Sequence, residues 1–359
     1  MTARNTGVRR LNWALRGAVL AAVTIATFVL NGVAVAPQVA AAPRLEVMAY
    51  CPVDYPGDSV AYDSLKANWA SVDTAALFQF TLDWSGRVLG SGDARYSKLA
   101  KEKGFNLDPV VHNFVSGKFN AEMVRSSLAT LEGRSKAAGA IASLVLDNGY
   151  SGVNIDFEGL TPDLRDAFSL FIKNLAGRLH AKNRTVSVAV PAKTRDNPSD
   201  SWSGAYDYRA LAQEADRLMI MAYDEHWAGG SPGPIASIEW VKQVVEYAVT
   251  AAPANKILLG VPQYSYDWPT AGGPARYMST PAAMRIAAQT GAEVLWDGTA
   301  QAPHFYYWQG REQHHVFMEN SYSLAFKIGV ARNKGLAGIA IWRMGYEDPR
   351  TWEIINSYR

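Results

Sequence analysis

Short runs of apolar and β-branched residues recur along the chain, each followed by a loop and then by apolar residues at helical spacing. These runs predict strands at Leu45–Tyr50, Thr74–Phe80, Pro109–Phe114, Gly152–Phe157, Thr185–Val190, Arg217–Ala222, Lys256–Val261 and Gly338–Trp342. Between the third and fifth strands, Asn120 to Asn148 reads as one helix and Thr161 to Asn183 as another. The second carries Leu164, Phe168, Phe171, Ile172, Leu175 and Leu179 on one face. Eight strands alternating with helices predict an α/β fold of the (β/α)8 TIM-barrel type. A doubly wound open sheet is the rival, but it favours a glycine-rich phosphate loop after the first strand, and Tyr50-Cys51-Pro52 is nothing like one.

The interval between the seventh and eighth strands is about twice the others. Its surplus, residues 266–319, holds a helix-like Thr280–Thr290 and strand-like Glu293–Trp296 and His304–Trp308. So much pattern is too rich for a loop, and a small α+β insertion between the seventh strand and its helix is expected.

The fourth strand breaks the apolar rule. In Gly152-Val153-Asn154-Ile155-Asp156-Phe157-Glu158 the polar residues occupy every second position, so Asn154, Asp156 and Glu158 share one face. A strand between two helices is covered on its outer face, which turns the polar face toward the barrel axis. Polar groups there carry a desolvation cost. Ligand sites in barrels lie at the carboxyl ends of the strands, where Glu158 stands. Other polar and aromatic residues fall at the same predicted rim: Tyr50, Asn113, Tyr223-Asp224-Glu225-His226-Trp227, Tyr264, Asp267-Trp268 and Trp342. Singly, each has a dull reading as a core aromatic or a helix cap; together they mark a site.

Composition narrows the chemistry. With 359 residues, 48% hydrophobic and 19% charged, the chain is globular in composition, and a net charge of +2 without a basic run argues against a nucleic-acid partner. Carboxylates beside aromatics suit a sugar, whose apolar faces stack on Trp and Tyr while acids work on the glycosidic oxygen. A metal site built from Asp156, Glu158 and His226 is the competing idea, but none of the six His residues stands in a ligand pattern, and no metal or other cofactor is expected. The neighbours His314 and His315 diverge if they lie in a strand. A serine nucleophile would need a Gly-x-Ser-x-Gly elbow, and there is none.

At the amino end, Arg4, Arg9, Arg10 and Arg16 precede an uncharged segment from Gly17 to Pro43. Basic, then apolar, then small residues is the order of a secretory signal, with Val39-Ala40-Ala41 as the cleavage signature and residues 1–41 as the leader; the run is also long enough to persist as an uncleaved membrane anchor. The rest, 42–359, is then an exported domain, secreted or held at the cell envelope, and a monomer is expected. Cys51, alone, can form no internal disulfide and reads as a buried small hydrophobe.

The stretch from Gly152 to Glu158 resembles the signature of glycoside hydrolase family 18, the chitinase family, whose fourth barrel strand carries Asp-Gly-x-Asp-x-Asp-x-Glu. Met221-Ala222-Tyr223-Asp224, Gly260-Val261-Pro262-Gln263-Tyr264 with Tyr266-Asp267-Trp268, and Gly338-Ile339-Ala340-Ile341-Trp342-Arg343 extend the resemblance across the exported chain. Within the family the chain is most similar to the bacterial cortex-lytic and spore-germination type N-acetylglucosaminidases. The resemblance implies hydrolysis of β-1,4-linked N-acetylglucosamine glycans, peptidoglycan or chitin, by substrate-assisted retention. It implies Glu158 as general acid and then base, Asp156 and Tyr223 on the acetamide, Asp224 orienting the sugar, and Trp342 beneath the ring. Asn154, Tyr50, Tyr264, Asp267, Trp268 and Trp227 are the remaining candidates for substrate contact. Two residues depart from the pattern: Ser151 replaces its first Asp, and Asn154 its second. A neutral amide beside Asp156, able to donate a hydrogen bond to it, predicts that Asp156 ionises more easily than in the chitinase pattern. The alternative from another class is a catalytically silent carbohydrate-binding protein on the same scaffold; retention of both Glu158 and Asp156 argues against it.

Overall fold

The computed structural model describes residues 44–359. The eight apolar runs form parallel strands: β1 (Glu46–Pro52), β2 (Thr74–Leu82), β3 (Asn106–His112), β4 (Gly152–Asp156), β5 (Thr185–Pro191), β6 (Arg217–Met221), β7 (Ile257–Pro262) and β8 (Gly338–Trp342). Each pairs with its neighbour in sequence and β8 pairs back onto β1, closing the barrel.

Alternation within each strand splits the apolar residues into two cores. Val153 and Ile155 of β4 and Phe157 just beyond it belong to the outer core, where the ring of Phe157 stacks 5.8 Å from Phe171 of the following helix (Arg165–His180). Burial of each such ring contributes about 1.5–3 kcal/mol. The inner set, including Met48, Ala76, Val110, Met219 and Leu258, fills the barrel axis. The lumen is therefore a packed plug, and only its carboxyl-terminal mouth is open for chemistry.

The single helix expected over 120–148 is two, Ala121–Leu128 and Leu131–Asp147. Thr130 supplies the break: its hydroxyl accepts from the Gly133 N–H and caps the second helix. Gly133 is needed there, because a Cβ would lie 2.5 Å from the Ser127 carbonyl oxygen.

Past β7 the chain leaves the barrel. Ser265–Pro269, Arg276–Met278, Leu295–Asp297, Ala302–Gln309 and Glu312–Met318 form an antiparallel five-stranded sheet, with the helix Thr280–Thr290 on one face. Met278, Ala283, Ala287, Phe305 and Val316 fill the space between them. On the other face Tyr266, Trp268 and Phe317 pack against Ile235 of the barrel's sixth connection. At the return, Lys327 donates to the buried Glu319 at 2.7 Å, and the Ser323 hydroxyl satisfies the same oxygen. His314 and His315 do diverge, one to Asp267 and the other to His304. Cys51 is wholly buried in the outer core, where burial pushes its thiol pKa up. The leader, with Val39-Ala40-Ala41, lies outside the described residues, and among those described no helix is long and apolar enough to cross a membrane.

Candidate active site

Strand β4 ends at Asp156, and Glu158 stands two residues farther on, at the barrel mouth. Gly159 turns the chain away at φ +68°, a conformation that favours glycine. The face holding Asn154 and Asp156 points inward, as the alternation requires. Asn154 is fully buried; its Oδ1 accepts from the Tyr50 hydroxyl at 3.1 Å and its Nδ2 donates to Ser187 Oγ at 2.9 Å. Both amide dipoles are thereby spent on β1 and β5. The expected hydrogen bond from Asn154 to Asp156 is not made, and Asp156 Oδ1 has no partner at all.

The donated bond from which easier ionisation of Asp156 is expected is therefore missing. At 4% exposure, with one oxygen unsatisfied, burial raises its pKa from 3.8 to about 7. Burial also holds the half-buried Glu158 carboxyl well above the ordinary carboxylate range, and the charges of Asp156 and then Asp224 add to the rise. The two acids titrate as a pair, and both can hold a proton near neutrality.

Two cavities meet at Glu158. One, of about 600 Å3, is walled by Trp202, Trp227 and Trp240; the other, of about 590 Å3, by Phe78, His112, Asp156 and Trp342. Glu158, Met221, Tyr223 and Asp224 line both, so the acid stands at the waist of one cleft. Trp342 forms the floor of the second lobe. Its ring meets Tyr50 at 5.6 Å and Phe78 at 5.4 Å, both edge-on, and Phe78 stacks on His112 at 4.1 Å. His112 is pushed down to about 4 by burial, so its ring is neutral near neutral pH, with Nδ1 accepting from the Phe114 N–H.

Tyr223 owes its place to Gly260 on β7. A Cβ there would lie 2.4 Å from the Ile220 carbonyl oxygen and 3.1 Å from the Tyr223 ring. Asp224 takes a left-handed backbone (φ +59°) and is exposed, while its Oδ1 accepts from the hydroxyls of Tyr264 and Tyr266, the latter at 3.0 Å.

Several candidates lie away from the exposed cleft surface. Tyr50, Asn154 and Tyr264 are buried to 1% exposure or less, where Tyr50 and Asn154 bond each other and Tyr264 holds Asp224. Asp267 and Trp268 are not at the rim. Their strand pairs into the insertion sheet, where Asp267 accepts from the Tyr307 hydroxyl (2.8 Å) and from Arg276 (2.9 Å) and lies 2.8 Å from His314 Nδ1. Trp268 is wholly buried against Tyr266. Trp227 does line the cleft and is 60% exposed.

Trp202, Trp240, Phe78, His112, Gln79 and Arg343, none of them a candidate in the sequence, also line the cleft. Trp202 carried a usable signal, an aromatic in an otherwise polar loop just past β5. Phe78 and His112 carried none, since they lie inside runs that read as ordinary core. His226, the third member of the metal alternative, places Nδ1 2.9 Å from the Pro234 carbonyl oxygen. Among the described residues no three His, Cys, Asp or Glu side chains converge as metal ligands.

A closed barrel with two raised acids in an aromatic cleft at its carboxyl mouth is the architecture of a glycosidase, and comparison with known proteins agrees. The model of the family described as glycosyl hydrolases family 18 matches residues 56–347. The cortical fragment-lytic enzyme of Bacillus anthracis is 33% identical over 251 residues, which are 68% of this chain and 58% of that enzyme. The spore cortex-lytic enzyme SleL of Bacillus cereus superposes with a TM-score of 0.82 at 28% identity, covering 89% of this chain and 75% of the other. A chitinase of Chromobacterium violaceum gives 0.80 at 30% identity, covering 87% and 98%. The match runs through every strand but β1 and includes the signature on β4, and the chain belongs to glycosyl hydrolase family 18.

Proposed function

We propose that the chain cleaves β-1,4-linked N-acetylglucosamine glycans by substrate-assisted retention, with Glu158 as the acid and base. The observation that carries this reading is the pair on one strand face: Glu158 at the waist of the cleft with a strongly raised pKa, and Asp156 behind it with an unpartnered oxygen.

Protonated Glu158 gives its proton to the glycosidic oxygen as the bond to the anomeric carbon breaks. The sugar's own acetamide oxygen closes on that carbon, so no protein carboxylate is needed as nucleophile. Asp156 Oδ1, free of protein partners, accepts the acetamide N–H and offsets the charge of the ring that forms. Tyr223 holds the acetamide, Asp224 orients the sugar, and Trp342 supports its apolar face. Glu158, now ionised, takes a proton from water attacking from the side the leaving group vacated. The leaving sugars lie along Trp202, Trp227 and Trp240.

The basic, apolar and small residues of 1–41 support export of a 42–359 catalytic domain carrying the insertion at 266–319, acting outside the cytoplasm at the envelope or as a secreted protein. The names of the relatives, cortex-lytic enzymes and chitinases, support peptidoglycan or chitin as the polymer. The test is incubation of wild type and Glu158→Gln with chitooligosaccharides and with purified peptidoglycan, followed by mass spectrometry. Wild type should release products from at least one, and the variant should be slower by about 10²–10⁴-fold while still binding it. Equal inertness of both proteins with retained binding would make the chain a lectin.

A further inference from the structure

Glu158 lies beyond the last residue of β4, so no ladder hydrogen bond of the strand fixes it. The pairing of β3 with β4 likewise stops at His112 and Asp156. At the next position the side chain of Asn113 takes over. Its Oδ1 accepts from the Glu158 N–H at 2.8 Å, and its Nδ2 donates to the Glu158 carbonyl at 2.9 Å. An amide has one acceptor and two donors in a plane, so Asn113 imitates a strand neighbour for one residue only. Its side chain is fully buried. One residue upstream of Glu158 a second group acts alike: the Tyr206 hydroxyl, on the connection after β5, donates to the Phe157 carbonyl at 2.7 Å and accepts from the Leu160 N–H.

We propose that Asn113 is a positioning residue for the reaction, clamping the backbone of Glu158 so that its carboxyl stays at the waist of the cleft. The inference rests on Glu158 being the general acid. Its energetic sense is simple: loss of the amide leaves the Glu158 N–H and C=O without their protein partners, and the segment is freed to move. The lever from backbone to carboxyl is long enough for a shift of about 1 Å, which costs about 10²-fold in rate. A Glu158 carboxyl that moves toward water also ionises more readily, because less of its desolvation remains. The acid must be protonated to act, so the alkaline limb of the rate profile moves to lower pH.

The test uses Asn113→Leu, which keeps the shape and loses both bonds, and Tyr206→Phe, which removes only the hydroxyl on the Phe157 carbonyl. Glu158→Gln and wild type are assayed alongside, on whichever glycan wild type cleaves, with a thermal melt of each protein. For folded Asn113→Leu we expect kcat lower by about 10²-fold, KM within a few-fold of wild type, and the alkaline limb displaced downward; Tyr206→Phe should move both in the same direction by less. Unchanged kcat and an unchanged alkaline limb in folded Asn113→Leu overturn the proposal, whatever the melt shows. If Asn113→Leu does not fold, Asn113→Ala, which also loses both bonds without adding apolar bulk, decides by the same two readouts. Should Glu158→Gln keep full activity, it is the reading of Glu158 as the acid that fails, and the clamp falls with it.

Discussion

Asp156 shows how neighbours, more than residue type, set a carboxyl's behaviour. In the sequence it looks like an acid with a helpful amide two residues away. In the fold that amide is committed to Tyr50 and Ser187, and Asp156 stays buried with one oxygen unmet, at about 7. The sign of the resulting pH dependence follows. In the proposed mechanism Glu158 must be protonated to donate, so activity should be lost as pH rises through its raised pKa; Asp156 must be ionised to accept from the acetamide, so activity should be lost as pH falls through about 7. Asp156→Asn should therefore abolish the acidic limb of the kcat/KM profile. It should also shift the alkaline limb downward, because the charge that helps raise Glu158 is gone. A bell of unchanged width in the variant would contradict these roles.

At the scale of elements, the register of each strand decides which residues meet. Period-two alternation makes β4 and its inward face legible in the chain's own pattern, since a strand between helices has only one place for its polar side. The same rule misplaces Asp267 and Trp268, because alternation says which residues share a face but not which sheet the strand joins; Ser265–Pro269 pairs with Glu312–Met318, not with the barrel. The break between the two helices at Ala129-Thr130 is illegible for a similar reason: the apolar pattern continues in phase across it, and only the capping hydroxyl of Thr130 and the close approach at Gly133 set the stop. Gly260 is the element-level counterpart of the site. Its missing Cβ lets β6 and β7 approach and seats Tyr223 between them. Gly260→Ala should destabilise the protein by about 1–3 kcal/mol, seen in a thermal melt, and lower kcat with it. A variant melting and turning over like wild type would show that Tyr223 does not depend on that contact.

For the whole molecule, eight evenly spaced apolar runs are enough to give the barrel, and one doubled interval is enough to locate a second sheet. What chain order alone does not supply is the cleft's second wall. Trp202, Trp227 and Trp240 come from the connections after β5 and β6 and converge only through the barrel's curvature. The fold thus brings Glu158, Asp156 and Trp342 to one mouth, and in the proposed mechanism the substrate's own acetamide replaces a carboxylate nucleophile. The stereochemistry of the first product tests this most directly. Proton NMR during the first minutes of chitooligosaccharide or peptidoglycan cleavage should show the β-anomer at the new reducing end, relaxing later to the equilibrium mixture. First appearance of the α-anomer would mean inversion and would contradict substrate assistance at this site.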